Sequence, residues 1–309
     1  MIINTGNRTD IPAYYSEWFY NRIKEGYVLV RNPYYRSQVI KYRLSPDVVD
    51  VMCFCTKNPK PMLKRLNEIK NFRQFWFVTI TPYGKEIEPN VPNVQDVLEA
   101  TIELSKEVGS NAVGWRYDPI FLSEQYTIDF HIEQFSAMVA QLRSHIQFCV
   151  ISFIDLYGNT TRNFKGINSV NELDQKYLVE KFVEIANANN LEIYTCCENK
   201  ELGKLGVNIS GCMTKPIIEK AINCTLDIPK SRKSSRSACD CLLGNDIGMY
   251  NTCNHGCLYC YANYDMKIVS ENITKHNKTS PLLIGELEKD DIIKESKQIS
   301  YFDGQLKLF

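Results

Sequence analysis

The sequence predicts an α/β fold on a parallel sheet, open or closed into a barrel, and three observations predict it. Short apolar runs rich in β-branched and aromatic residues recur along the first 200 residues; longer segments with helical spacing separate them; and the runs are apolar throughout rather than alternating. Strands buried on both faces read this way, as in parallel sheets. Repeated strand–helix units of this length bring parallel strands side by side. The strand candidates are Met1–Asn4, Val48–Cys55, Phe75–Thr81, Ala112–Tyr117, Phe148–Ile154 and Leu191–Thr195.

Taken in order, the first strand leads to a helix that Asp10 caps, with Pro12 in its first turn and Gly26 closing it. YVLVRNPYYRSQVIKY then reads as a hairpin turning at Asn32-Pro33. A helix near 59–70 follows the second strand. Asn93 starts the next, VQDVLEATIELSKEV, with Gly109 just past its end. Two more are expected near 126–145 and 171–189. After about residue 200 the alternation weakens. The chain therefore divides into a (β/α) body over 1–200, a cysteine-rich segment over 201–265 and a C-terminal extension over 266–309.

Bulk properties exclude several function classes. With 44% hydrophobic and 23% charged residues, the 309-residue chain is not disordered as a whole. Lys plus Arg and Asp plus Glu are both 36, so no global charge draws it to nucleic acid or a membrane. MIINTGNRTD lacks the basic start and apolar run of a signal peptide, and FCVISFI is too short to cross a bilayer. The expectation is a cytoplasmic protein. Twelve cysteines in a reducing compartment point to metal ligation or core packing rather than disulfides.

Polar residues cluster just after the strands: Asn4, Thr5, Asn7, Arg8 and Asp10; Thr56, Lys57 and Asn58; Thr81 and Tyr83; Arg116 and Asp118; Ser152 and Asp155; and Glu198. Singly, each reads as a cap or turn residue. Together they outline a pocket at the carboxyl ends of the strands, where α/β sheets bind ligands.

YNTCNHGCLYCYANY, residues 250–264, places Cys253, Cys257 and Cys260 in a C-x3-C-x2-C pattern with Tyr259 before the third. Gly256 lets the backbone fold tightly round a bound object. A structural zinc site wants four protein ligands, so three close thiolates suggest a four-iron cluster with one iron open. The competing reading is a zinc knuckle with Cys241 or His255 as fourth ligand. The pattern resembles the cluster motif of the radical S-adenosylmethionine (SAM) superfamily. DIGMYNTCNHGCLYCYAN, TDIP from Thr9, TKNP from Thr56, TPYGKEIEPNVP from Thr81 and RYDPI from Arg116 resemble its spore photoproduct lyase branch. In that superfamily the cluster strand comes first; here it comes last. The resemblance therefore implies a partial or closed TIM-like (β/α) barrel of about six or seven parallel strands, circularly permuted so that residues 201–265 supply the cluster-bearing strand. The whole arrangement also resembles an uncharacterised bacterial family, a domain of unknown function with C-terminal radical-SAM-type cysteines.

The resemblance implies that Cys253, Cys257 and Cys260 hold a 4Fe–4S cluster whose open iron is chelated by SAM. Reductive cleavage then gives methionine and a 5′-deoxyadenosyl radical, which takes hydrogen from an unknown substrate. Tyr259 would pack near the SAM adenine or the cluster, and Asn7, Asp10, Arg116 and Asp118 are candidate SAM or substrate contacts. An electron donor such as a flavodoxin or ferredoxin is implied as partner. The alternative is a non-catalytic iron–sulfur or zinc protein in electron transfer or partner binding. Transfer of a DNA-repair substrate by analogy has no support from the neutral charge.

Cys196, Cys212, Cys239 and Cys241 suggest a second, auxiliary cluster; zinc or unshared buried thiols are the other readings. Cys197 would face away from Cys196 on a strand, or replace it as ligand. Cys53, Cys55 and Cys149 read as packing residues, and Cys224 is unassigned. His131 and His145 read as surface or satisfied core residues, His276 as solvated, and His255 as a support to the cluster ligands. Lys230, Arg232, Lys233 and Arg236 read as a solvated basic loop.

Overall fold

The computed structural model describes residues 1–229, 239–242 and 244–306. The basic run from Lys230 to Arg236 lies outside the described residues. The strands are β1 (Ile2–Asn4), β2 (Tyr27–Arg31), β3 (Gln38–Arg43), β4 (Val51–Thr56), β5 (Gln74–Thr79), β6 (Val113–Ile120), β7 (Phe148–Phe153), β8 (Glu192–Thr195), β9 (Cys224–Leu226), β10 (Asn245–Asp246), β11 (Ile292–Glu295) and β12 (Phe302–Leu306). Seven of them form one all-parallel sheet in the order β10-β1-β4-β5-β6-β7-β8. All six strand candidates are in it. The seventh comes from the cysteine-rich segment: Asn245 and Asp246 pair in parallel with Ile3 and Asn4. The segment from near the C-terminus thus inserts beside the N-terminal strand.

The sheet is not closed, so the closed-barrel expectation is corrected. Its edge strands have only two and four residues, too few to offer each other a stable ladder. One face packs Trp18, Phe54, Trp76, Trp115, Phe135 and Phe182 beneath the long helices. The other packs Phe75, Phe77, Phe148 and Cys53 against Ile217 and Ile218. Cys53 and Cys149 are buried packing residues as expected, and Cys55, half-buried, packs on the same face as Cys53, both of them also lining a cavity.

The helices are α1 (Ile11–Tyr14), α2 (Ser16–Glu25), α3 (Lys60–Leu63), α4 (Val94–Val108), α5 (Ile128–Leu142), α6 (Gly158–Asn163), α7 (Glu172–Asn187), α8 (Lys215–Ile222) and α9 (Met266–Ile273). The first expected helix is two, broken at Tyr15, whose φ of −129° leaves the helical region. That break sends the Tyr15 hydroxyl to the Thr252 carbonyl at 2.6 Å. Gly26 closes α2 at φ 77°, as its position predicts. The helix near 59–70 is α3 plus a 3-10 turn over Leu66–Ile69. No helix among the described residues is long and apolar enough to cross a membrane.

The hairpin β2–β3 stands apart from the main sheet. The C-terminal extension docks on it, β11 pairing in parallel with β3, while β12 pairs antiparallel with β9. His276 is not solvated: its Nδ1 meets the Leu283 carbonyl at 2.7 Å and its ring meets Tyr15 edge-on.

His131 on α5 is the satisfied core histidine. It is fully buried, with Nδ1 2.8 Å from the Tyr117 hydroxyl and Nε2 2.9 Å from the Phe121 carbonyl. Burial lowers its pKa to about 4. The folded chain keeps it neutral where the unfolded chain protonates it, so its contribution is complete above about pH 6.5 and is lost as pH falls toward 4. Urea unfolding of wild type and His131→Gln checks this. The stability gap between them is expected to shrink by about 2–3 kcal/mol between roughly pH 7.5 and 4.5.

Candidate functional site

The three-cysteine loop leaves β10 at the carboxyl edge of the sheet, and several segments clamp it. Asp10 caps α1 by accepting from the Ala13 amide at 3.0 Å. Its other oxygen accepts from the Lys57 amide and lies against His255 Nε2, both at 2.8 Å. His255 Nδ1 is 2.9 Å from the Tyr14 hydroxyl. One neutral tautomer serves both contacts: Tyr14 donates to Nδ1 and Nε2–H donates to Asp10. The His255 carbonyl takes the Asn90 amide, Leu258 N–H reaches the Ile87 carbonyl, and Asn159 on α6 holds the Tyr261 carbonyl, each at 3.0 Å. Within the loop, Asn263 donates to the Cys253 carbonyl at 2.7 Å. Gly256 has φ 72°, the conformation its place in the motif requires.

Beneath the loop sits a buried ion pair. Lys57 Nζ lies 2.9 Å from Glu88 Oε1, with the side chains 11% and 3% exposed. Thr81 donates to the same oxygen at 2.6 Å and accepts from Lys57 at 3.0 Å. The Tyr259 hydroxyl also donates to Glu88, and its ring lies 5.7 Å from the Lys57 ammonium. Burial opposes the Lys57 charge, but Glu88 and Cys257 outweigh it and raise its pKa. Burial pushes the thiols of Cys253, Cys257 and Cys260 up; Asp10 adds to this at Cys253 and Glu88 at Cys257, while Lys57 pulls Cys257 back. Lys57 is thus the cation that offsets charge at Cys257.

The second cysteine set also assembles. Sγ atoms of Cys196, Cys212 and Cys241 lie within 4.8 Å of one another, as do those of Cys196, Cys197 and Cys239, so the set is placed to hold a metal ion. Cys197 does not face away as strand alternation predicts. The strand stops at Thr195 and Cys197 adopts φ 62°, which turns the chain at that point. Cys212 is 3.4 Å from Arg116 Nη1. Contact with the thiols of Cys196 and Cys241, then the Arg116 charge, hold Cys212 well below the ordinary thiol range despite burial.

Both cysteine sets line one cavity of about 1500 Å³, larger than ordinary small-molecule pockets. Asn4, Asn7, Arg8, Asp10, Thr56, Lys57, Arg116, Asp118, Ser152 and Asp155 from the strand-end ring line it as well. Asn7 is exposed at its wall, and its carbonyl takes the Tyr261 hydroxyl at 2.6 Å. Asp118 holds Arg116 in a bidentate pair and accepts from Ser152 at 3.3 Å. Arg116 and Asp118 therefore adjoin the second cysteine set, and Asp10 and Tyr259 brace the first. Glu88 and Tyr14 were not legible as site residues. The only trace of Glu88 was an acidic residue inside TPYGKEIEPNVP.

Thiolates sharing one tetrahedral ion stand roughly 3.8 Å apart, given metal–sulfur bonds of about 2.3 Å. Among the described residues, Cys253, Cys257 and Cys260 do not form a set with all ligand atoms within 4.8 Å. The zinc-knuckle reading is not favoured at His255, whose two ring nitrogens already meet Tyr14 and Asp10.

No curated protein matches the chain. Over residues 2–262 it matches a family described as a domain of unknown function, DUF1848, and with nearly its whole length so covered, the chain is a member of that family.

Proposed function

We propose that the protein is a radical SAM-type enzyme acting on an unknown substrate, with its sheet a permuted, open form of a TIM-like barrel. One observation carries the reading: the C-x3-C-x2-C loop follows a strand inserted next to β1 and opens on the large cavity at the strand ends. A carrier of electrons needs no such lined space. Cys253, Cys257 and Cys260 would hold a 4Fe–4S cluster. When bound, that group supplies reductive cleavage of SAM at its open iron and so starts radical chemistry.

The chain's own residues then have defined tasks. Asp10, His255 and Tyr14 fix the loop, and Lys57 balances negative charge beside Cys257. Tyr259 and Asn7 present an aromatic edge and a polar wall to the cofactor side of the cavity. Arg116 and Asp118 offer charge farther along, where substrate or the SAM carboxylate would meet it. An external electron donor of flavodoxin or ferredoxin type is required.

Anaerobic reconstitution, reduction with SAM and mass spectrometry of 5′-deoxyadenosine test the reading. Product is expected from wild type and at least 100-fold less from Cys257→Ala. A full reducible cluster without product would sink the enzyme and favour a non-catalytic electron-transfer protein.

A further inference from the structure

We propose that Cys196, Cys212 and Cys241 hold one tetrahedral divalent ion of the zinc class, and not an auxiliary iron–sulfur cluster. The observation is distance. Cys212 Sγ lies 3.4 Å from Cys196 Sγ and 3.6 Å from Cys241 Sγ. A tetrahedron of thiolates with bonds of about 2.3 Å has edges of roughly 3.8 Å. Thiolates on different irons of a cubane stand farther apart, so these three sulfurs are spaced for a shared ion. The motif cysteines in the same molecule are spaced more widely, which makes the contrast internal.

The polypeptide around these sulfurs is built for thiolate charge. The Cys212 and Met213 amides both donate to Cys241 Sγ at 3.2 Å, and the Cys241 amide donates to Cys239 Sγ at 3.3 Å. Arg116 Nη1 adds a cationic donor to Cys212 at 3.4 Å. Amide and guanidinium donors aimed at sulfur stabilise ligated thiolates, and buried packing thiols need none of them. Gly211 completes the cradle. Its φ is +116°, and a Cβ there would sit 2.9 Å from Cys241 Sγ and 3.1 Å from Cys239 Sγ. Cys239 stands with Cys196 and Cys197 and not within 4.8 Å of both Cys212 and Cys241, so the fourth position is left to a ligand other than these cysteines. Ion uptake displaces the thiol protons to solvent and leaves a net charge of about −1 beside Arg116. The three ligands tie the segment just after β8, the 211–213 turn and Cys241 into one cavity wall.

The test does not depend on the first cysteine set. The full chain carrying Cys253→Ala, Cys257→Ala and Cys260→Ala together is purified and assayed for zinc, iron and acid-labile sulfide. One zinc per chain and no sulfide are expected. After chelation, cobalt(II) titration is expected to saturate at one equivalent with the intense visible bands of tetrahedral thiolate cobalt. Adding Cys241→Ser should abolish those bands, whereas adding Cys197→Ser should leave one equivalent. Labile sulfide with a brown chromophore would overturn the single-ion site in favour of a cluster. Absence of any metal or cobalt band, with circular dichroism unchanged, would overturn it in favour of free thiols. Loss of binding in Cys197→Ser would overturn the ligand assignment. Should Cys241→Ser fail to fold, the cobalt titration of the parent still decides.

Discussion

Lys57→Met is expected to destabilise the fold by about 3–5 kcal/mol and to reduce iron uptake at the three-cysteine loop severalfold. Lys57 and Glu88 form a nearly fully buried pair. Removing the cation leaves the Glu88 carboxylate among apolar neighbours with only Thr81 and Tyr259 to hydrogen-bond it. An uncompensated buried charge is far more costly than an absent pair. The double variant Lys57→Met, Glu88→Gln should therefore recover most of the lost stability, because glutamine still accepts from Tyr259 without carrying charge. Iron uptake should not recover in the double variant, since the cation beside Cys257 remains missing. Urea unfolding of the metal-free protein reads the first effect, and iron per chain after reconstitution reads the second. Equal recovery of both would show that Lys57 acts only through the fold.

What the sequence made legible follows from how far apart the cooperating residues lie. The six longer strands carry their own signal, since a run such as FCVISF is apolar throughout and its neighbours are parallel. Asn245–Asp246 carries none. Two polar residues have no periodicity, and the strand exists because Ile3 and Asn4 offer it a ladder; only the adjoining cysteines pointed there. Openness of the sheet was equally invisible, because closure depends on the edges and not on any repeat. Lys57 and Glu88 are 31 residues apart, and Tyr259 is 171 residues from Glu88, so no window of sequence contains that cluster. Cys197 shows the opposite failure. Alternation, a sound local rule, fails there because Cys197 lies two residues beyond the end of the strand.

Asp10→Ala is the other change with a large expected effect, and it distinguishes a loop that is merely present from one that is held. Its carboxylate serves three donors at once: the Ala13 amide, the Lys57 amide and His255 Nε2. Loss of the cap costs about 1 kcal/mol. Leaving the half-buried Lys57 amide and the buried His255 ring without an acceptor adds about 1–3 kcal/mol, for about 2–4 kcal/mol in all. The second consequence is geometric. His255 lies between Cys253 and Cys257, and Asp10 is what fixes its ring against Tyr14. Freed of that anchor, the loop should sample arrangements in which the three thiols no longer face one cluster, because groups that orient metal ligands matter nearly as much as the ligands. Asp10→Asn retains one acceptor and should fall between wild type and Asp10→Ala in both stability and iron content. Chemical denaturation together with iron and sulfide assays measures the series. Full iron loading in Asp10→Ala would mean that the segments around Asn90, Ile87 and α6 suffice to shape the loop, and that the link from α1 through His255 serves stability alone.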